Sequence, residues 1–152
     1  MKFRIIFGIV LILGLISCQS QQTNEQKTLV EFLTSDSSAN RPFSEAVRVG
    51  NWLILSGQIG VDPETRSLPS GGIEAETKQT MDNIKRTLEK YGSSLDQVVK
   101  CTVMLADISQ WGDMNKVYMT YFPTHKPARS AFGTSGLAMG ARLEVECWAF
   151  IQ

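Results

Sequence analysis

The sequence predicts an α+β domain built on one mixed β-sheet, with two helices on a single face of it. Three observations predict this class. Short β-rich runs outnumber helical ones, and two of them flank Gly50-Asn51, a pair suited to a tight hairpin turn. Only two stretches switch to helical spacing, and each lies between strands, as a crossover does. The chain has 152 residues, of which 43% are hydrophobic and 20% charged, so it makes one globular domain and can bury its own core. A core of that size needs neither a disulfide framework nor a structural metal.

The elements follow in order. The folded domain is expected over residues 28–152, beginning with a strand at Leu29-Val30-Glu31-Phe32-Leu33, and Ser35 to Pro42 reads as a polar loop. Ala46–Val49 and Trp52–Leu55 form the hairpin. The second strand runs on to Val61 past Gly57, where a bend or a close backbone approach is expected. From Ile73 to Tyr91, Met81, Ile84, Leu88 and Tyr91 recur at helical spacing, Gly71-Gly72 makes the entry turn, and Gly92 ends the helix. Val98–Leu105 is a strand. Ser109 is expected to cap a second helix with Trp111, Met114, Val117, Tyr118 and Tyr121 on its buried side, closed by Pro123. A short strand at Ala128–Phe132, a glycine-rich link at Gly133–Gly140 and a last strand at Arg142–Ile151 complete the order. With both helices on one face, Trp52, Ile54, Val103, Leu105 and Trp148 make a wet opposite face hard to draw, so an oligomer is expected to cover it.

The N-terminus reads separately. Lys2 and Arg4 precede an uncharged apolar run, Ile5–Ile16, too short for a relaxed membrane span, which needs about 20 apolar residues. Residues 1–17 therefore read as a signal peptide. Leu15-Ile16-Ser17-Cys18 resembles a bacterial lipobox, with Cys18 as the lipidated residue and residues 18–27 as a polar tether. A lipid-anchored protein of the bacterial cell envelope, facing the periplasm, is expected. The balanced 15 basic and 15 acidic residues exclude a nucleic-acid glove, and three Cys with one His exclude an ordinary zinc site.

Two polar residues stand out because strands flank them. Arg129 opens a short strand after Pro127-Ala128, and Glu144 interrupts the Leu143/Val145 alternation. A guanidinium on a strand end grips a carboxylate with a planar fork, and a carboxylate on a neighbouring strand holds or activates a water. The same two residues also suit a structural ion pair, and the spacing alone favours that reading. His125 reads as a loop residue without a catalytic role. Cys101 and Cys147, both in β-like runs, read as buried free thiols, with a disulfide open to them in an oxidising compartment.

The strings Pro127-Ala128-Arg129-Ser130-Ala131-Phe132 and Leu143-Glu144-Val145-Glu146 resemble the signature of the Rid family, the reactive intermediate deaminases, also called YjgF-like or endoribonuclease L-PSP proteins. Further matches are Pro42–Val47, Val49-Gly50-Asn51, Ser56-Gly57-Gln58-Ile59, Gly92–Leu95, Val98-Val99-Lys100 and Met114–Tyr118, which cover nearly all of residues 40–151 in the family's order. The resemblance implies a chorismate-mutase-like fold, a homotrimer with clefts between subunits, and hydrolysis of enamines and imines such as 2-aminoacrylate to 2-oxo acids and ammonia without a cofactor or metal. It implies that Arg129 grips the substrate carboxylate, helped by backbone at Ala131, that Glu144 positions the attacking water, and that Ser56, Gly57 and Asn115 line the cleft. The chain departs from the pattern at Phe43, where the family's segment carries a Tyr, and at Ala131, where one branch carries a Cys. A trimer that binds small carboxylates or amino-acid-like ligands without turnover is the alternative.

Overall fold

The computed structural model describes residues 29–35 and 40–151. The expected signal peptide, the expected lipidation site Cys18 and the expected tether lie outside the described residues. The strands are β1 (Val30–Leu33), β2 (Ala46–Val49), β3 (Trp52–Leu55), β4 (Gln58–Ile59), β5 (Val98–Leu105), β6 (Ala128–Gly133) and β7 (Leu143–Phe150). They form one mixed sheet in the order β1-β2-β3-β7-β5-β6, with β4 also on β7. All pairs are antiparallel except β5–β6, whose parallel pairing follows from the helical crossover between them.

The two helices are α1 (Gly72–Lys90) and α2 (Trp111–Tyr118). Met81, Ile84 and Leu88 of α1 and Met114 and Tyr118 of α2 share one core with Leu53, Leu55, Val103, Val145 and Ala149 of the sheet. The single helical face expected from the sequence is the one observed, but Val103 and Leu105, expected on the opposite face, lie on the helical side, in the same buried row as Cys101. Helix α1 ends in a Schellman turn: Gly92 N–H donates to Glu89 O at 3.3 Å, Ser93 N–H donates to Leu88 O at 2.9 Å, and Gly92 takes φ 83°.

Helix α2 corrects one expectation. A turn of 3-10 helix at Ile108–Gln110 precedes it, so Gln110 and not Ser109 is the N-cap residue of α2, without a side-chain cap, and Asp107 caps the 3-10 turn by accepting the Ser109 N–H at 2.9 Å. A carboxylate there also complements the positive end of the turn. Trp111 accordingly starts the α-helix and stands half exposed, while Tyr118 ends it ahead of a 3-10 turn at Met119–Tyr121.

Gly57 marks the bend predicted for the long second strand. Ile54 pairs with Trp148 and Gln58 with Val145, so four steps on one strand face three on the other. The extra residue is a β-bulge that separates β3 from β4. Helix α1 fixes this corner from above. Asn83 Nδ2 donates to Ile59 O at 3.1 Å and Val61 O at 2.9 Å, and the buried Glu76 accepts the Arg142 N–H at 2.8 Å and pairs with Arg142 Nε at 3.2 Å.

Candidate functional site

Cross-strand partners share a face, so register decides which residues can meet. Arg129 lies level with Cys101, which lies level with Cys147, and these cysteines are fully buried beneath the helices. Arg129 therefore points to the helical side. Its Nη1 donates to Asn115 Oδ1 at 2.6 Å, and its Cζ sits 4.7 Å from the ring centre of Tyr118 and 5.5 Å from that of Trp111. Two rings and one amide hold the guanidinium plane while its remaining N–H groups meet no acceptor among the described residues, which is how a fixed fork for a carboxylate is made. Ala131 stands two residues along the same strand and on the same face, and β6 is the edge of the sheet, with no strand on its other side among the described residues.

Glu144 is level with Ile59, Met104 and, through Met104, Phe132. Its row alternates with the buried one, so its carboxylate lies on the open face. It has no hydrogen bond or ion pair among the described residues, and it rests on Gly57. A Cβ added to Gly57 would collide with the carboxylate group and come within 2.8 Å of Cδ. The absence of a side chain at Gly57 is what makes room for Glu144. Ser56, beside it in the bulge, donates its Oγ–H to Ser44 O at 2.7 Å, tying the Phe43-Ser44 loop to this corner. Phe43 itself is 50% exposed.

The expected site residues thus fall into two half-sites. Arg129, Asn115 and Ala131 gather on the helical side of β6, and Glu144, Gly57 and Ser56, with Phe43 nearby, gather on the open face. The half-sites are separated by two strands and three residues along them, about 14 Å between Cα atoms at ordinary sheet spacings. The structural Arg129–Glu144 ion pair favoured by spacing alone is overturned, because the two side chains leave the sheet on opposite sides. A concavity of ≈ 450 Å³ beside Asp82, Leu95 and Tyr121 includes neither half-site.

Trp111 and Tyr118 were legible only as buried-side residues of α2. Trp111, Asn115 and Tyr118 are spaced i, i+4, i+7, one stripe along a helix, and that stripe is the signal that they act together. Glu76 and Asn83, which hold the Gly57–Glu144 corner, gave no such signal. His125 Nε2 meets Asp96 O at 2.8 Å in an exposed loop, away from both half-sites, as expected of a loop residue.

The family model for endoribonuclease L-PSP matches residues 34–151. The chain belongs to that family, the Rid proteins. It is 44% identical over 109 residues to a RutC family protein of Pyrococcus abyssi, covering 72% of this chain and 86% of the relative. It is 40% identical over 116 residues to mouse 2-iminobutanoate/2-iminopropanoate deaminase, covering 76% and 86%. The crystal structure of RidA from an Antarctic Psychrobacter superposes with a TM-score of 0.70 at 36% identity, covering 83% of this chain and 99% of that one. The single mixed sheet with two helices on one face is the Rid fold.

Proposed function

We propose that the protein hydrolyses imines and enamines of small 2-amino acids to 2-oxo acids and ammonia, in clefts that each take one half-site from each of two copies in a homotrimer. The observation that carries this reading is the division of Arg129 and Glu144 between opposite faces of one sheet. Neither half can finish the chemistry alone. A second copy laid over the apolar open face supplies the missing half. Relatives at about 40% identity that are named as 2-iminobutanoate/2-iminopropanoate deaminases support the reaction class.

In this mechanism Arg129 of one copy binds the substrate carboxylate by charge-assisted hydrogen bonds, its plane held by Asn115, Tyr118 and Trp111. Glu144 of the neighbouring copy accepts a proton from a water as its oxygen attacks the C=N carbon. Glu144 passes that proton to the imine nitrogen, giving a carbinolamine; the carbinol O–H proton then moves to the same nitrogen, which leaves as ammonia as the C=O bond forms. Glu144→Gln keeps the shape but removes the base, so hydrolysis of freshly generated 2-aminoacrylate should fall by about 10²–10⁴-fold while 2-oxobutyrate binding stays near wild type. A variant as active as wild type would defeat this assignment.

Phe43 favours a second reading, in which the trimer binds small carboxylates without turnover, because no hydroxyl reaches the cleft from that position. Wild-type protein that binds 2-oxobutyrate but leaves 2-aminoacrylate to decay at its uncatalysed rate would establish this reading in place of the first.

We also propose that Cys18 is lipidated after cleavage of residues 1–17, anchoring the domain in the bacterial cell envelope on the periplasmic side. Cys18→Ala should abolish labelling by a palmitate analogue that marks the wild-type protein. Wild-type protein that takes no label would exclude the anchor.

A further inference from the structure

Cys101 on β5 and Cys147 on β7 stand directly opposite one another, both fully buried, with their sulfurs 2.9 Å apart. Directly opposed antiparallel residues have Cα atoms about 4.5–5.5 Å apart, inside the range of about 4.4–6.8 Å that a disulfide spans. The strands need only a small inward shift for the sulfurs to bond. The Tyr118 hydroxyl, buried beside them, makes no hydrogen bond of good geometry among the described residues.

From this geometry we infer that Cys101 and Cys147 are a modification site, a cross-strand disulfide formed by exchange with a donor disulfide while β7 is undocked from β5. The Cys101 thiolate attacks one sulfur of the donor and one donor thiol leaves. Cys147 then attacks the Cys101 sulfur of the mixed disulfide and releases the second donor thiol. Two cysteine thiols become one disulfide, and the donor disulfide is reduced to two thiols, which carry away the two protons. With β7 undocked, Arg129, level with Cys101 on β6, and Lys100, next to it in the chain, still stand beside Cys101, and their positive charges favour its thiolate, so Cys101 attacks first. Burial of both sulfurs explains why the exchange belongs to the open strand pair, since no donor disulfide reaches them in the closed sheet.

The bond would sit in the row that carries Arg129 and would tie together strands that border the core. It closes a loop of 46 residues, so its main effect is on the unfolded chain.

The test is to refold the full chain from denaturant in oxidised or in reduced glutathione, digest without reduction, and map the thiols. Trypsin cuts after Lys100 and Arg142, so the peptide beginning at Cys101 and the peptide beginning at Leu143 should appear as one linked species that dithiothreitol splits. The oxidised protein should melt on the order of 10 °C above the reduced one. Cys147→Ser should lose both the linked species and the oxidant-dependent shift while keeping the reduced protein's melting temperature within a few degrees. Alkylation that finds both thiols free after oxidative refolding, or finds either one joined only to Cys18 or to glutathione, overturns the inference. A linked species that melts below the reduced protein overturns it as well, because the bond would then distort the sheet and not belong to the native fold.

Discussion

The two faces of the sheet are built from the same kinds of residue and meet different fates. On one face Leu53, Leu55, Val103, Val145 and Ala149 are sealed beneath α1 and α2. On the other, Phe32 is 72% exposed, Trp148 44% and Trp52 41%, and Phe150 packs edge-on against Trp52 with ring centres 4.9 Å apart. Strands that are apolar on both faces belong to sheets covered on both faces. One chain covers one face. The comparison teaches that the chain carries a core it completes by itself and a second that it cannot complete, and that half of the candidate chemistry lies on each.

Mixing inactive variants puts the comparison at greatest risk. Arg129→Ala and Glu144→Gln should each be inactive as pure proteins. Co-refolded in equal amounts, they should recover about one quarter of wild-type activity, because random assortment joins an intact Arg129 to a neighbour's intact Glu144 at about one site in four. No recovery in the mixture would mean that both residues act from one copy, and the two-face account would fall.

Stability measurements sharpen the difference between the faces. Ile84→Ala, on the helical side, should cost about 2–5 kcal/mol at any protein concentration. Trp148→Ala should lower the melting temperature in a concentration-dependent way and shift light scattering from trimer toward monomer. Equal, concentration-independent losses in thermal melts of the two variants would show that the open face is not an interface. A smaller effect is expected at Arg129→Lys. Lysine keeps the charge but cannot form the fork, so calorimetric titration with 2-oxobutyrate should find affinity about tenfold weaker, and unchanged affinity would exclude a bidentate grip.

Much of this architecture was legible in the residues. The period of Met81, Ile84 and Leu88 located α1, Gly50-Asn51 located the hairpin, and Gly57 announced the bulge. Motifs identified the family and singled out Arg129 and Glu144. What could not be read was their separation. Which face a strand residue takes relative to a residue on another strand depends on register, and register is set by pairings remote in the chain. Arg129 joins the buried row because it meets Cys101, and Glu144 joins the open row because it meets Met104. The cap of α2 was misread for a local reason. Ser109 lies inside a 3-10 turn that starts earlier, at Ile108, so its N–H is capped by Asp107 and the N-cap place of α2 falls to Gln110.

The place of β7 has a consequence for how the protein is made. The last strand of the domain in chain order occupies the middle of the sheet, between β3 and β5. Until a ribosome has released residues 143–150, β1-β2-β3 and β5-β6 are separate fragments and β4 has no strand to pair with, and long-range pairing of this kind is slow to form. The nascent chain therefore stays open until β7 has emerged. A premature stop anywhere before β7 leaves no smaller native unit behind, only exposed strand edges for proteases to recognise. Quality control of this protein is written into its topology: β7 must leave the ribosome before the sheet can close.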